Sequence, residues 1–351
     1  MSATAVQLEH PEATSTIRLP SGQTVAVRSE ASIEADEIPI IDVSGIWSED
    51  LAVKKEIAEQ VREASHRIGF FYAQHHGIDP KFAEAVFEKG RRFCALPLEK
   101  KLEVDTSLVP NEYVGYHRMD GYNRNGHRFK DLSEAFNWNY DSAYDPQAVD
   151  KSEPGVSIWP SESDLPGFKE DLYAYHAQLL RFARRMTRIF ALALYMPEDY
   201  FDEYVRRPEA GMRIIHYPEQ QANAADQNGI GAHTDFECFT MVTQDENAGL
   251  EVLNKQGYWI KAPPVPDAFV VNIADCFMRQ TNDFFVSTVH RVINKSGKER
   301  YSLPFFFGFD RSKKLEAIPS CVSDGNPMKY PLMTSGEYYL YRANAAKTGS
   351  Y

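Results

Sequence analysis

The chain has 351 residues, 43% of them apolar and 13% aromatic, enough for a sizeable core and too many for a disordered polypeptide. Its 38 basic and 50 acidic side chains leave a formal charge of −12, and no run of Lys and Arg forms a phosphate-backbone footprint, so nucleic acid is not an expected partner. Cys94, Cys238, Cys276 and Cys321 are scattered, Met1 to Pro20 lacks a charged start followed by an apolar run, and no window approaches the ~20 apolar residues of a membrane span, so the expectation is a soluble, cytoplasmic protein without a membrane partner.

Residues 1–35 are polar and mixed, and Ile17-Arg-Leu-Pro, Ser21-Gly-Gln and Thr24-Val-Ala-Val-Arg make either a hairpin about a Ser-Gly turn or a loose tail. Ile38-Pro-Ile-Ile-Asp42-Val predicts a strand. Ser48 or Asp50 then caps a helix on which Val53, Ile57, Val61, Ala64 and Ile68 recur at helical spacing. Gly69 ends that helix, Phe70-Phe71-Tyr72-Ala73 predicts a second strand, and Asp79-Pro80 supplies the cap and first-turn proline of a helix carrying Phe82, Val86 and Phe93. Residues 36–160 thus begin as a mixed α/β region. From Asn111 to Trp159 the pattern weakens into Gly, Asn, Asp, Tyr and Arg, which reads as a substrate-binding loop or as a plain surface connection. His117, Arg118, Arg124 and Arg128 on it suit an acidic or amino-acid-like substrate, or else a charged surface.

Residues 161–351 are expected to hold one long helix and a β-rich core that forms one unit with the preceding region. Phe168, Leu172, Leu179, Phe182, Met186, Ile189 and Leu192 mark the helix between Leu165 and Leu194. After Pro197 come short β-type runs: Met212–Tyr217, His233–Val242, Leu250–Leu253, Tyr258–Ile260, Ala268–Ile273, Ser287–Ile293 and Tyr301–Phe309. Such a series predicts a sandwich or jelly roll, so the fold class is α+β. A short helical pattern around Tyr338-Tyr339-Leu340 closes the chain.

Three short motifs carry the chemistry. In a strand, residues two apart share a face, so His233 and Asp235 are expected to stand side by side, with His290 arriving from a later strand. Two imidazoles and one carboxylate on one face of an octahedral ion leave three positions open, which suits Fe(II), a chelating co-substrate and O₂. A histidine in a strand is more often a hydrogen-bonded core or surface group, and an H-x-D pair recurs by chance. The third motif raises the odds: Arg300 and Ser302 share a strand face, and a guanidinium fork beside a hydroxyl receives a carboxylate. The alternative for Arg300 is a surface cation at the end of a polar turn.

With these motifs in place, the chain resembles the iron(II)- and 2-oxoglutarate-dependent dioxygenases of the isopenicillin N synthase-like superfamily. The resemblance runs from Ile38-Pro-Ile-Ile-Asp42 and Gly69-Phe70-Phe71 through Lys130-Asp131, Glu134, Phe136 and Trp159-Pro160. It continues over Arg213 to Pro218, Gly229 to Asp235, Val271 to Asp275, His290-Arg-Val and Arg300-Tyr-Ser302. It implies a double-stranded β-helix core with flanking helices, Fe(II) on His233, Asp235 and His290, and 2-oxoglutarate held at its far carboxylate by Arg300, Ser302 and the Tyr217 hydroxyl. It also implies that O₂ oxidises a small substrate by hydroxylation, desaturation or ring closure, in the manner of secondary metabolism, with release of succinate and CO₂. Two other readings stay open: an iron oxidase of the same superfamily that does not use 2-oxoglutarate, and a non-catalytic jelly-roll binding protein. Phe277 and Phe305 to Phe307 are the expected pocket aromatics, beside His117 and Arg124. The chain departs from the plant pattern in two places. Ile215-His216-Tyr217-Pro218 lacks an asparagine, and Glu237 stands where glycine is common, either on the site wall or at a strand end in solvent.

Overall fold

Capping chemistry sets the first third of the molecule, a computed structural model describing residues 14–18, 24–34, 36–110, 112–119, 121, 130–152, 155–220 and 227–348. Asp50, not Ser48, caps helix α1 (Leu51–Arg67) by accepting from the Ala52 N–H. Gly69 follows at φ 72°, where a Cβ would lie 2.1 Å from the Val286 carbonyl oxygen, so the αL turn into β5 (Phe70–Gln74) requires glycine. Asp79 caps α2 (Pro80–Cys94) in the same way, with Pro80 in the first turn. A short helix, α3 (Leu98–Leu102), follows and carries the buried Lys101. Ahead of these, β1 (Ser15–Arg18) and β2 (Thr24–Val27) pair as the expected hairpin, while the Ser21-Gly-Gln turn lies outside the described residues.

Two larger sheets organise the rest. The eight-stranded sheet runs β4 (Ile40–Asp42), β5, β13 (Ala268–Ile273), β10 (Phe239–Gln244), β15 (Arg300–Gly308), β8 (Glu209–Tyr217), β7 (Glu134–Trp138), β6 (Gly115–His117). The five-stranded sheet runs β3 (Ser29–Ile33), β12 (Tyr258–Lys261), β11 (Leu250–Leu253), β14 (His290–Val292), β9 (Ile230–His233). Strand β3, at the edge of the small sheet, had no signal in the sequence. Nor was the 111–159 segment legible as sheet: β6 and β7 are short and buried on both faces, so they lack the alternation that marks a half-exposed strand.

Alternation within the eight-stranded sheet divides the interior in two. Phe71, Met212, Ile214, Met241, Val271, Leu303, Phe305 and Phe307 face the core beneath α1, α2 and the long helix α4 (Phe168–Ala193). Phe70, Tyr72, Ile215, Tyr217 and Val270 point the other way and pack on Ile230, Leu250, Val252, Ile260 and Val292 of the small sheet. The jelly roll is therefore a sandwich whose inter-sheet space is apolar at one end. Polar groups of the same inner face occupy the other.

One polar knot braces the edge of the large sheet. Glu134 on β7 accepts from Lys101 Nζ and Tyr116 Oη, each at 2.8 Å, and lies 3.0 Å from His216 Nδ1. His216 also stacks on Tyr301 at 4.7 Å between ring centroids, so it packs as an aromatic ring and adds a hydrogen bond. Burial alone would push the Glu134 carboxyl up, but the hydrogen bonds from His216, Lys101 and Tyr116 outweigh it and hold the group at about 2. A carboxyl depressed on folding stabilises the native state above its ordinary value near 4.5 and loses that contribution as pH falls toward about 2. Glu134→Gln is expected to cost about 3 kcal/mol at neutral pH, because it strands the buried Lys101 ammonium. It should also flatten the fall in stability between those pH values. Urea unfolding across a pH series checks both.

Candidate active site

His233 ends β9 and His290 begins β14, and the two are paired across the antiparallel ladder, which sets their rings 4.3 Å apart between centroids. His233 Nδ1 donates to the Gly231 carbonyl at 2.8 Å, and His290 Nδ1 donates to that of Thr288 at 3.2 Å. A carbonyl only accepts, so each Nδ1 carries a proton and Nε2 is the nitrogen left to meet a metal ion. Both Nε2 atoms face Asp235 Oδ1, at 3.6 and 3.7 Å.

Asp235 arrives by a different route from the one strand alternation predicts. Strand β9 stops at His233, and residues 234–238 cross from the small sheet to β10 of the large one, carrying Asp235 over the gap. Its Oδ2 accepts from Thr240 Oγ1 at 2.6 Å and Asn272 Nδ2 at 2.9 Å, which leaves Oδ1 for the histidine side. Burial raises the Asp235 carboxyl, but His290, His233 and these two donors outweigh burial and hold it below the usual range. The three ligand atoms lie within 4.8 Å of one another, and the donor set, two imidazoles and one carboxylate, fits a divalent iron. Cys94, Glu134 and His216 also cluster this closely, but the Lys101 ammonium already supplies the cation there.

Arg300 is 1% exposed and pairs with no carboxylate among the described residues. Its Nη2 donates to Gln244 Oε1 at 2.8 Å and its Nε to the Asn247 carbonyl at 3.1 Å, while the guanidinium carbon sits 4.8 Å above the Tyr217 ring. Nη1 is buried and has no partner among the described residues. A fixed, buried guanidinium with one idle donor fits an incoming carboxylate. Ser302 is buried on the same face of β15, and both stand beside β8, which carries Tyr217. Gly229 permits this packing, since a Cβ there would lie 2.6 Å from Tyr217 Cδ1.

Residues 208–309 match the family model of the 2OG-Fe(II) oxygenase superfamily, and residues 38–162 match the non-haem dioxygenase in morphine synthesis N-terminal model. The 2-oxoglutarate-Fe(II) type oxidoreductase ppzC of Metarhizium majus is 37% identical over 84% of this chain and 83% of its own. The chain belongs to the 2-oxoglutarate–Fe(II) oxygenases. The oxygenase is similar also to the 2-oxoglutarate-Fe(II) type oxidoreductase hxnY of Emericella nidulans, 36% identical over 84% of this chain and 86% of the relative. Among solved structures, a full-length Neurospora crassa protein in complex with alpha-KG and thymine has a TM-score of 0.79 and 29% identity, covering 90% of this chain and 99% of that one. Fe(II) and 2-oxoglutarate are thus the cofactor and co-substrate of the family to which this oxygenase belongs, and the jelly roll is the family's fold.

Beside His233 and Asp235 the oxygenase opens a cavity with an empty volume of about 710 Å³, counting its mouth. Of the residues expected there, Phe306 lines it, while Phe305 and Phe307 face the helical core by strand alternation. Phe277 is a correction: on α5 (Asp275–Gln280) it packs among Phe190, Phe201, Phe239 and Phe309, away from the cavity wall. His117 is buried on β6, 5.0 Å from the Tyr113 ring between centroids, and it is Tyr113 that lines the cavity. Arg124 and Arg128 lie outside the described residues.

Glu237 lines the cavity, which overturns the solvent reading of its position. Its carboxyl is pushed up to about 8, first by burial and then by the Asp235 charge. Cys238 and Cys276 are core residues, as expected. Asn137, Arg213 and Tyr339 also line the wall and went unassigned from sequence. Tyr339 comes from α6 (Ser335–Thr348), whose buried Arg342 pairs with Asp275 and stands 4.5 Å above the Phe236 ring. The closing helix thereby buttresses the 234–238 crossover.

Proposed function

We propose that His233, Asp235 and His290 hold the Fe(II), and that Arg300 and Ser302, with the Tyr217 hydroxyl beside them, grip the far carboxylate of 2-oxoglutarate. The reaction is O₂-dependent oxidation, by hydroxylation, desaturation or ring closure, of a small organic substrate in the adjacent cavity. When bound, the Fe(II)–2-oxoglutarate pair supplies an O₂-derived oxidant and releases succinate and CO₂. The chain's own residues do the positioning. Thr240 and Asn272 orient Asp235, backbone carbonyls orient the two imidazoles, and Gln244 and Asn247 hold Arg300 so that its idle donor faces the co-substrate.

One observation carries this reading: two Nε2 atoms and one carboxylate oxygen converge while a buried guanidinium donor lacks a partner among the described residues. The small-molecule reading is supported by the size of the cavity and by thymine in the Neurospora structure. The morphine-synthesis match supports secondary metabolism, and four free cysteines support the cytoplasm. Among the described residues no helix is long and apolar enough to cross a membrane.

The test is anaerobic reconstitution with Fe(II), calorimetric titration with 2-oxoglutarate, then admission of O₂ with a panel of small substrates and assay of succinate. Succinate formed in step with substrate loss is the expected result. Oxygen uptake without 2-oxoglutarate would replace the reading with an oxidase, and failure to bind Fe(II) would replace it with a binding protein. Thr240→Val, which removes one orienting donor from Asp235, is expected to weaken Fe(II) binding about 10- to 100-fold in a chelator competition.

A further inference from the structure

Two buried polar atoms of the cavity have no partner among the described residues: Asn137 Oδ1 and Arg213 Nε. They belong to directly opposed residues, Asn137 on β7 and Arg213 on β8, so an idle acceptor and an idle donor stand next to each other on one face of the sheet. Asn137 is 3% exposed, and its amide is held in one sense because Nδ2 donates to the Tyr113 carbonyl at 2.8 Å. Buried polar atoms are nearly always hydrogen-bonded, and a neighbouring acceptor and donor left idle in a cavity are the imprint of a ligand.

We propose that Asn137 and Arg213 read a cyclic amide: the substrate is a small, flat nitrogen heterocycle whose ring N–H donates to Asn137 Oδ1 and whose adjacent C=O accepts from Arg213 Nε. This deepens the oxygenase reading above and rests on it. A lactam or imide edge presents these two groups, a donor and an acceptor, side by side. The flat ring meets flat walls, since Tyr113, Phe236, Phe306 and Tyr339 contribute aromatic faces to the same cavity. A carboxylate in the same place fits worse. It would set an oxygen lone pair against Asn137 Oδ1 and bring no N–H to satisfy it. His117, Arg118, Arg124 and Arg128 suit an acidic or amino-acid-like substrate or else a charged surface, but the cation on the described wall is Arg213, and it stands beside an acceptor.

The experiment uses the full chain loaded anaerobically with redox-inert Mn(II) and 2-oxoglutarate, titrated calorimetrically with 2-pyridone and uracil. The N-methylated counterparts, 1-methyl-2-pyridone and 1,3-dimethyluracil, and the carboxylates nicotinate and benzoate are titrated alongside. The lactams are expected to bind, with N-methylation weakening binding at least about 10-fold, because a site built for an N–H rejects the analogue that lacks it. Arg213→Met and Asn137→Leu are each expected to weaken lactam binding at least about 10-fold while 2-oxoglutarate affinity stays within about 2-fold. Arg213→Lys restores the charge without the Nε donor and is expected to behave as the methionine variant does. The proposal is overturned if no lactam binds, if the carboxylates bind more tightly, or if the variants leave lactam affinity unchanged. Loss of 2-oxoglutarate affinity in both variants would place the pair in the co-substrate site and also overturn it. Failure of the unaltered protein to bind Mn(II) and 2-oxoglutarate would instead bring down the oxygenase reading.

Discussion

Fe(II) binding and turnover are expected to collapse in His290→Ala. The imidazole is one of two whose proton is pinned on Nδ1 by a backbone carbonyl, so the lone pair offered on Nε2 comes already oriented. Loss of an orienting partner alone typically costs 10- to 100-fold in metal affinity or activity, so loss of the donor itself should exceed about 100-fold. Anaerobic titration with Fe(II) reads the metal directly, and succinate formation reads the consequence. His290 also meets the edge of Phe70, 5.5 Å away between ring centroids, so circular dichroism should accompany the titration to separate a lost ligand from a lost fold. A folded variant that binds Fe(II) as tightly as the parent would remove His290 from the site. Because imidazole and carboxylate ligands bind metal in their deprotonated forms, loading of the parent protein is expected to weaken as pH falls.

Some of this architecture was legible in the sequence, and the division is physical. Helices α1, α2 and α4 announce themselves through Asp50, Asp79-Pro80 and a 3.6-residue apolar period, all of them local signals. The residues of the proposed iron and 2-oxoglutarate sites were legible because their chemistry is rare in combination. His233 and Asp235 do not share one strand face, as the H-x-D spacing suggests, because β9 ends at His233. The 234–238 crossover between sheets carries the carboxylate, and Thr240 and Asn272 fix it from the other wall. That arrangement depends on which strands face each other, which no local pattern records. Strands β6 and β7 were hidden because Glu134 and Asn137 are polar yet buried, their cost offset by Lys101, Tyr116, His216 and the Tyr113 carbonyl from distant segments. Phe277 shows the converse: an aromatic next to the motif looked like a pocket residue, but α5 turns it into the core. Of the two residues with which we propose the protein reads its substrate, Asn137 thus sits where sequence periodicity is silent, whereas Arg213 lies on a strand the sequence marks but carries no sign of its partner.

Arg300→Met is expected to weaken 2-oxoglutarate binding by about 30- to 5,000-fold, the range for truncating one partner of a buried, hydrogen-bonded charge pair. The guanidinium is held on two sides, by Gln244 Oε1 and the Asn247 carbonyl, and lies over the Tyr217 ring, so it does not have to be ordered when the co-substrate arrives. Methionine keeps much of the side chain's volume and removes every donor. Among the described residues Arg300 makes no close ion pair, only a longer-range attraction to the Asp245 carboxyl, so most of the burial cost of its charge stays uncompensated in the free protein and the same change should leave the unliganded fold as stable as the parent or more so. These opposite effects distinguish a co-substrate receptor from a structural cation, whose loss would lower stability. Calorimetry with 2-oxoglutarate and urea unfolding without it measure the two. Fe(II) affinity should be unchanged, because Arg300 touches none of the three proposed metal ligands. Arg300→Lys should recover part of the affinity through charge alone. The rest depends on the fork geometry that Gln244 and Asn247 hold in place.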